Sequence, residues 1–274
     1  MLGSLSAAVS GLDVFQQDMN VIGNNIANIN TSGFKAARVD LANSFSNTLL
    51  AATAPTSLTS GTNAMQVGTG VAIDSISNNW SQGTLSSTNN SSDLAINGNG
   101  FFMVKDPVSG SSYVTQVGAF TLDSKGYLVS SQGYRVQGYA DSSLTTLGDI
   151  KVDMTTTGAT SYAVSSQGVI SINVAGNSEV VGQVLLQDFQ DPSALVSMGS
   201  NLYANTPNAG PLAAPTAPGS SGMGTIQSGA LELSNVDLSN EMANLITAQR
   251  GFEANSKIVT ASDEMMQTVV NMVR

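Results

Sequence analysis

Between residues 3 and 30, Leu5, Ala8, Leu12, Phe15, Met19, Ile22, Ile26 and Ile29 step by three and four, the spacing of a coiled-coil helix. Over 237–274 the same stepping picks out Leu238, Leu245, Phe252, Val259, Met266 and Val273, with Ala248, Asn255, Ser262 and Val269 between them. Two helical seams at opposite ends of one chain imply that the termini pack on each other or on neighbouring molecules. The first helix contains Gly11 and Gly23, each costing about 0.5–1 kcal/mol relative to Ala, and Asn24, Asn25, Asn28 and Asn30 crowd its end. Such a helix is marginal alone, so its order is expected from packing in an assembly. Thr31-Ser32-Gly33 stops it, and Asp237, with Glu241 in the first turn, starts the second.

Between the helices the period changes. Residues 36–50 are compatible with a short helix or an extended segment, and 51–63 form a long loop. From about residue 65 the apolar positions alternate, as in Val71, Ile73 and Ile76, and turn signals follow at short intervals. Leu94 and Ile96 run into Asn97-Gly98-Asn99-Gly100 and out through Phe101-Phe102-Met103-Val104, which reads as a hairpin. Further strands are expected up to 179–189, and residues 204–225 are rich in Pro, Gly, Ala and Ser. The expected fold is α+β: N- and C-terminal helices forming a coiled-coil-like domain, with an antiparallel β-domain, a barrel or sandwich, in the central part of the chain. The boundaries expected are 1–34 for the N-terminal helix, 35–66 for a connector, 67–203 for the β-domain, 204–229 for a return linker and 230–274 for the C-terminal helix.

Composition narrows the function. Only 10% of residues are charged and 41% are hydrophobic, so the polar surface is largely hydroxyl and amide, which suits surfaces covered by copies of the same chain. A net charge of -10, with nine Lys and Arg spread singly, argues against nucleic acid and acidic membranes. No apolar run approaches the roughly 20 residues that span a bilayer, so no membrane insertion is expected. The start lacks the pattern of a cleaved signal peptide, and export without cleavage is the expectation.

The chain contains no His and no Cys, which removes the commonest general base, thiol chemistry and the commonest metal ligands. No catalytic, cofactor or metal site is expected. Asp188 with Asp191, or Asp149 with Asp153, can be drawn as a glycosidase pair, but spacing along a strand cannot place two carboxylates on one cleft. Gly98-x-Gly100 lacks the third glycine and the following helix of a dinucleotide loop. The Asn cluster beside Ile22 and Ile26 suggests amides bonding across a helix interface, against the plainer reading of a solvated helix end. Arg250 and Glu253 are either a surface pair or an intersubunit contact.

Three blocks carry a resemblance. Asp18-Met19-Asn20-Val21-Ile22-Gly23-Asn24-Asn25-Ile26-Ala27-Asn28, with Asn30-Thr31-Ser32-Gly33-Phe34-Lys35, resembles the N-terminal signature of the bacterial flagellar axial proteins of rod and hook. Leu94-Ala95-Ile96-Asn97-Gly98-Asn99-Gly100-Phe101-Phe102 resembles that family's mid-chain motif, and the stretches 229–239 and 248–257 resemble its C-terminal signature. The resemblance implies a non-enzymatic structural subunit of the hook or basal body, exported by the flagellar type III apparatus and joined head to tail into a helical tube. Partners implied are further copies and other axial proteins of the rod, hook-filament junction and hook cap.

Interface residues implied on the helices are Leu5, Leu12, Phe15, Met19, Ile22, Asn24, Asn25, Ile26 and Asn28, with Leu238, Leu245, Gln249, Arg250, Phe252, Val259, Met266 and Val273. The motif wording is closer to the hook, the universal joint that transmits torque. The distal rod, a straight drive shaft, stands next, since residues 36–66 resemble the rod segment that contributes to straightness. An extracellular carbohydrate-active enzyme and a β-rich binding module are remote alternatives, and neither explains the paired terminal seams.

Overall fold

The computed structural model describes residues 2–55, 60–153, 161–174, 177–210, 214–220 and 222–272. Parts of the 51–63 loop, of the strand expected at 149–154, of the turn at 175–177 and of the Pro-rich return segment lie outside the described residues, as does Val273. The chain divides into two compact units, one of residues 1–27, 37–79 and 236–274 and the other of 28–36 and 80–235.

The first unit holds the terminal helices, α1 (Leu2–Ala27) and α2 (Leu238–Met272), with four strands: β1 (Ala37–Asn43), β2 (Ser46–Leu50), β3 (Met65–Gly68) and β4 (Val71–Asn78). At 1.5 Å per residue α2 is about 50 Å long. The Asp237 carboxylate accepts from the Ser239 N–H at 2.9 Å, capping α2 where the sequence places its start. The stretch 36–50, compatible with helix or strand, is extended: β1 pairs antiparallel with β4 and β2 with β3. Val39 and Leu41, with Val71, Ile73 and Ile76 opposite, are β-branched or bulky residues that favour the pleated ribbon. The strands near 65–78 thus belong to a long hairpin grouped with the helices, and Thr53 bridges to Thr62 further along it.

The second unit is antiparallel β-structure. In chain order its strands are β5 (Leu85–Ser87), β6 (Leu94–Asn97), β7 (Phe101–Lys105), β8 (Ser112–Thr115), β9 (Phe120–Leu122), β10 (Leu128–Ser130), β11 (Arg135–Tyr139) and β12 (Leu147–Asp149). They continue with β13 (Ser161–Val164), β14 (Val169–Val174), β15 (Asn177–Val184), β16 (Leu186–Gln187), β17 (Val196–Gly199), β18 (Leu202–Ala204), β19 (Thr225–Ser228) and β20 (Ala230–Glu232). The main sheet runs β13-β14-β15-β11-β7-β8-β18-β17, with β9, β10, β12 and β16 attached; β6 pairs with β19 and β5 with β20.

The hairpin expected between β6 and β7 does not form. β6 pairs with β19, whereas β7 pairs with β8, β11 and β16. Gly98 and Gly100 sit at φ +114° and +136°, and the Gly98 N–H donates to the Gln82 side chain at 3.1 Å instead of closing a two-residue turn. The glycines therefore carry the chain from one sheet to another.

β7 is covered on both faces, which is why it reads as an unbroken apolar run. Phe102 and Val104 enter the main core with Phe120, Val136, Ile150, Val184 and Leu186, while Phe101 enters a second core with Phe189, Leu195 and Tyr203. Trp80 stands edge-on to Phe101 and Tyr203, with centroids 5.2 and 5.0 Å away.

Candidate interaction surfaces

In the helical unit, partners along α1 rise in number as those along α2 fall. Gly11 meets Asn255, Phe15 meets Gly251, and the Asn25 side chain bonds Glu241, so the helices are antiparallel. The closest approach uses small residues. Ala248 and Ser262 are almost fully buried on α2, as are Ala8, Val14 and Ile22 on α1. The larger seam residues flank this line: Leu5, Leu12, Phe15, Met19, Ile26, Leu245, Phe252 and Val259 are half-buried. Leu238 and Met266 are exposed, as are Asn24 and Gln249. Val14 and Gly251 are not named as contacts from sequence, and Gly11 reads only as a weak helix former; the signal available is Ala248 and Ser262 recurring on the seam.

The Asn cluster divides. Asn25 is 1% exposed, and its amide donates to the Ala37 carbonyl at 2.8 Å and accepts from the Ala37 N–H at 3.0 Å. It pins the start of β1 to α1 within one molecule. Asn28 belongs to the second unit, where its carbonyl accepts from the Thr31 N–H in the turn that ends the helical run. Arg250 pairs with Glu253 at 2.8 Å with both side chains largely exposed, a contact that contributes little to a single molecule.

Much apolar surface remains uncovered in this unit. Ile246, Ile258, Met265, Val269 and Val270 face outward on α2, and Phe45, Leu49, Leu50, Met65 and Val67 project from the β2–β3 ribbon. From Leu41 to Ile73 the sequence contains no charged residue. A two-stranded ribbon is marginal in water unless a face is covered, and uncharged strands of this kind invite a partner. Beside the helices lies a groove of about 280 Å3 lined by Phe15, Asp18, Arg38 and Glu241. Burial holds the Asp18 carboxyl above its ordinary range. Burial also raises Glu241, a rise opposed by its bond with Asn25 and supported by the Asp18 and Asp237 charges.

In the second unit, Lys35 Nζ lies 2.7 Å from Glu232 Oε1, and both side chains are buried. Lys35 also donates to the Ser81 carbonyl at 2.9 Å, and Glu232 accepts from the Gly83 N–H at 2.7 Å. Gly33, at φ +67°, donates its N–H to the Glu232 carbonyl, and an added Cβ there would stand 2.8 Å from the Val117 side chain. The end of the N-terminal signature is thus locked onto β20. Separations of 197 residues, as between Lys35 and Glu232, leave no local trace in sequence.

The pair borders a cleft of about 300 Å3 whose walls include Trp80, Gln116, Asp188 and Phe189. Trp80 Nε1 and Gln116 Oε1 are buried there without hydrogen-bond partners. Of the carboxylates considered for catalysis only Asp188 lines the cleft, where it accepts from the Phe189 N–H at 2.9 Å; Asp191 caps the 3-10 turn Pro192–Ala194, and Asp153 pairs with Lys151 at 3.2 Å. Asp149 accepts from Arg135 and Gln137 at 2.7 Å each; burial raises its carboxyl, and these bonds outweigh that effect to leave it below its ordinary range. Among the described residues no cluster could hold a metal ion, and no helix is long and apolar enough to cross a membrane.

Three family models match the chain. Residues 5–35 match the flagella basal body rod protein model, 95–172 the D1 domain of flagellar hook protein FlgE/F/G, and 227–272 the C-terminal region of the flagellar basal body rod FlgEFG proteins. The chain is 41% identical to the flagellar basal-body rod protein FlgG of Bacillus subtilis, over 100% of both chains. It is 38% identical to FlgG of Buchnera aphidicola from Acyrthosiphon pisum, over 97% of this chain and 98% of that one. The flagellar hook protein FlgE of Borreliella burgdorferi is 44% identical over 51% of this chain but only 31% of its own length. The comparisons favour the rod subunit, placed second on motif wording, over the hook. The motifs recur in both, whereas correspondence over the whole length is found with the rod proteins. The chain belongs to the FlgE/F/G family of flagellar axial proteins and is a structural subunit of the flagellum.

Proposed function

We propose that the chain is the distal rod subunit of the basal body, polymerising as a straight helical tube that serves as a drive shaft. The observation that carries this reading is its end-to-end correspondence with rod proteins, against a match to 31% of the hook relative's length. The uncharged β2–β3 ribbon, with Phe45 87% exposed beside it, supports this reading: in an assembly the ribbon is covered by neighbouring copies and limits their sliding, the basis of straightness.

The outward apolar face of α2 meets helices of neighbouring copies in concentric coiled-coil layers around a channel. Of the residues named from sequence, the exposed Leu238 and Met266 act there beside Ile246 and Ile258, whereas Ile22 and Phe15 serve the contact between α1 and α2 within one molecule. The role is structural and non-enzymatic. Export proceeds through the flagellar type III apparatus without cleavage, and other axial proteins adjoin the ends of the polymer.

Electron microscopy of purified protein during slow salt-induced concentration, beside circular dichroism of the dilute monomer, tests this. Straight tubes, with helix gained on assembly, are expected. Curved tubes would restore the hook reading, which the hook relative's identity over half the chain favours. A fully helical monomer that never assembles would remove the axial role.

A further inference from the structure

The cleft beside Lys35 and Glu232 has the features of an unfilled socket. Its two central charges cancel each other at 2.7 Å, which leaves Asp188 as the charge on the wall without an ion-pair partner among the described residues. Gln116 is 8% exposed, and its Oε1 has no partner; the indole N–H of Trp80 is likewise unpaired. An acceptor and a donor without partners, set beside aromatic walls, match the N–H and C=O of a peptide group.

The same unit carries a shape that fits. The β9–β10 hairpin ends in Asp123-Ser124-Lys125-Gly126, a tight turn closed by the Gly126 N–H donating to the Asp123 carbonyl at 2.8 Å. Lys125 is exposed at its tip and has no carboxylate within ion-pair distance among the described residues. The Asp123 carboxylate is turned back onto the Ser124 N–H at 2.6 Å. Knob and socket are different surfaces of one unit, and contacts between unlike surfaces are those that build open-ended polymers.

We propose that the cleft is a docking socket for a second copy of the chain, which inserts its Asp123–Gly126 turn so that Lys125 faces Asp188 and the turn's peptide groups meet Trp80 and Gln116. The inference rests on the axial reading, since it requires copies held side by side.

Trp80 is the single tryptophan of the chain, so its fluorescence reports on the socket directly. Acrylamide quenching of Trp80 is measured in the dilute monomer and in assembled tubes, for the native chain, for Lys125→Glu and for Lys125→Glu with Asp188→Lys. Native tubes are expected to lose most of the quenching seen in the monomer. Lys125→Glu is expected to keep monomer-like quenching and assemble more slowly, and the double reversal to regain shielding. Native tubes in which Trp80 stays as quenchable as in the monomer would overturn the socket while leaving the axial role intact. Shielding unchanged in Lys125→Glu tubes would also overturn it. Failure of the native chain to form tubes would overturn both readings.

Discussion

Lys35 and Glu232 form an ion pair at 2.7 Å with their side chains 2% and 3% exposed, each also bonded to the backbone of the 81–83 segment. A buried pair is a weak stabiliser as a whole, yet removing one member strands the other without compensation. Lys35→Ala is expected to destabilise the β-unit by about 3–5 kcal/mol, and Lys35→Met with Glu232→Leu to recover most of that loss. Urea unfolding followed by Trp80 fluorescence measures both; a double-variant loss as large as the sum of the two single-variant losses would show that the pair is uncoupled.

Gly251 and Gly23 should respond in opposite senses to the same substitution. A methyl group at Gly251 would stand 2.5 Å from the Phe15 ring, whereas nothing lies within 4 Å of the corresponding point at Gly23. Gly251→Ala is expected to cost about 1–3 kcal/mol through overpacking. Gly23→Ala should stabilise α1 by about 0.5–1 kcal/mol, as expected of an exposed helical glycine. Thermal melts followed by far-ultraviolet circular dichroism distinguish them.

Asn25→Ala removes both hydrogen bonds that hold Ala37 and should cost about 1–3 kcal/mol, since the Ala37 backbone groups lose their partner. Hydrogen exchange should accelerate at Ala37 and along the near end of β1, while β14 and β15 keep their protection. Protection unchanged at Ala37 would mean that the hairpin is held by its strand pairing alone.

Acidification should affect the two units in opposite directions. Asp18 and Glu241 hold their protons above their ordinary values, mainly through burial, so the folded helical unit binds more protons than the unfolded chain in that window. Its stability therefore rises as pH falls from neutral through those raised values and levels off below the unfolded ones. Asp141 behaves inversely: backbone and side-chain bonds from Thr145 and Thr146 hold it at about 2, so its contribution, present above 3.8, is lost as pH falls towards 2. Circular dichroism of the helices and Trp80 fluorescence of the β-unit, followed against pH, should show the divergence. Asp18→Asn should remove the Asp18 share of the gain in the helical unit and leave that of Glu241.

The helices, the cap at Asp237 and the antiparallel character of the middle are decided by local chemistry. Heptad spacing, a capping carboxylate and β-branched alternation act within a few residues, so the sequence alone carries them. Membership of the axial family is legible for a similar reason, since its signatures are contiguous. The sequence could not show that β6 leaves β7 for β19, because two glycines at positive φ permit either a hairpin or a crossing, and the choice depends on a Gln82 side chain and a strand 130 residues away. Nor could it show that Asn25 faces Ala37, that Gly251 meets Phe15, or that Lys35 is neutralised by Glu232. Those pairings are set by which surfaces exclude water together, a property of the folded chain and not of any segment of it.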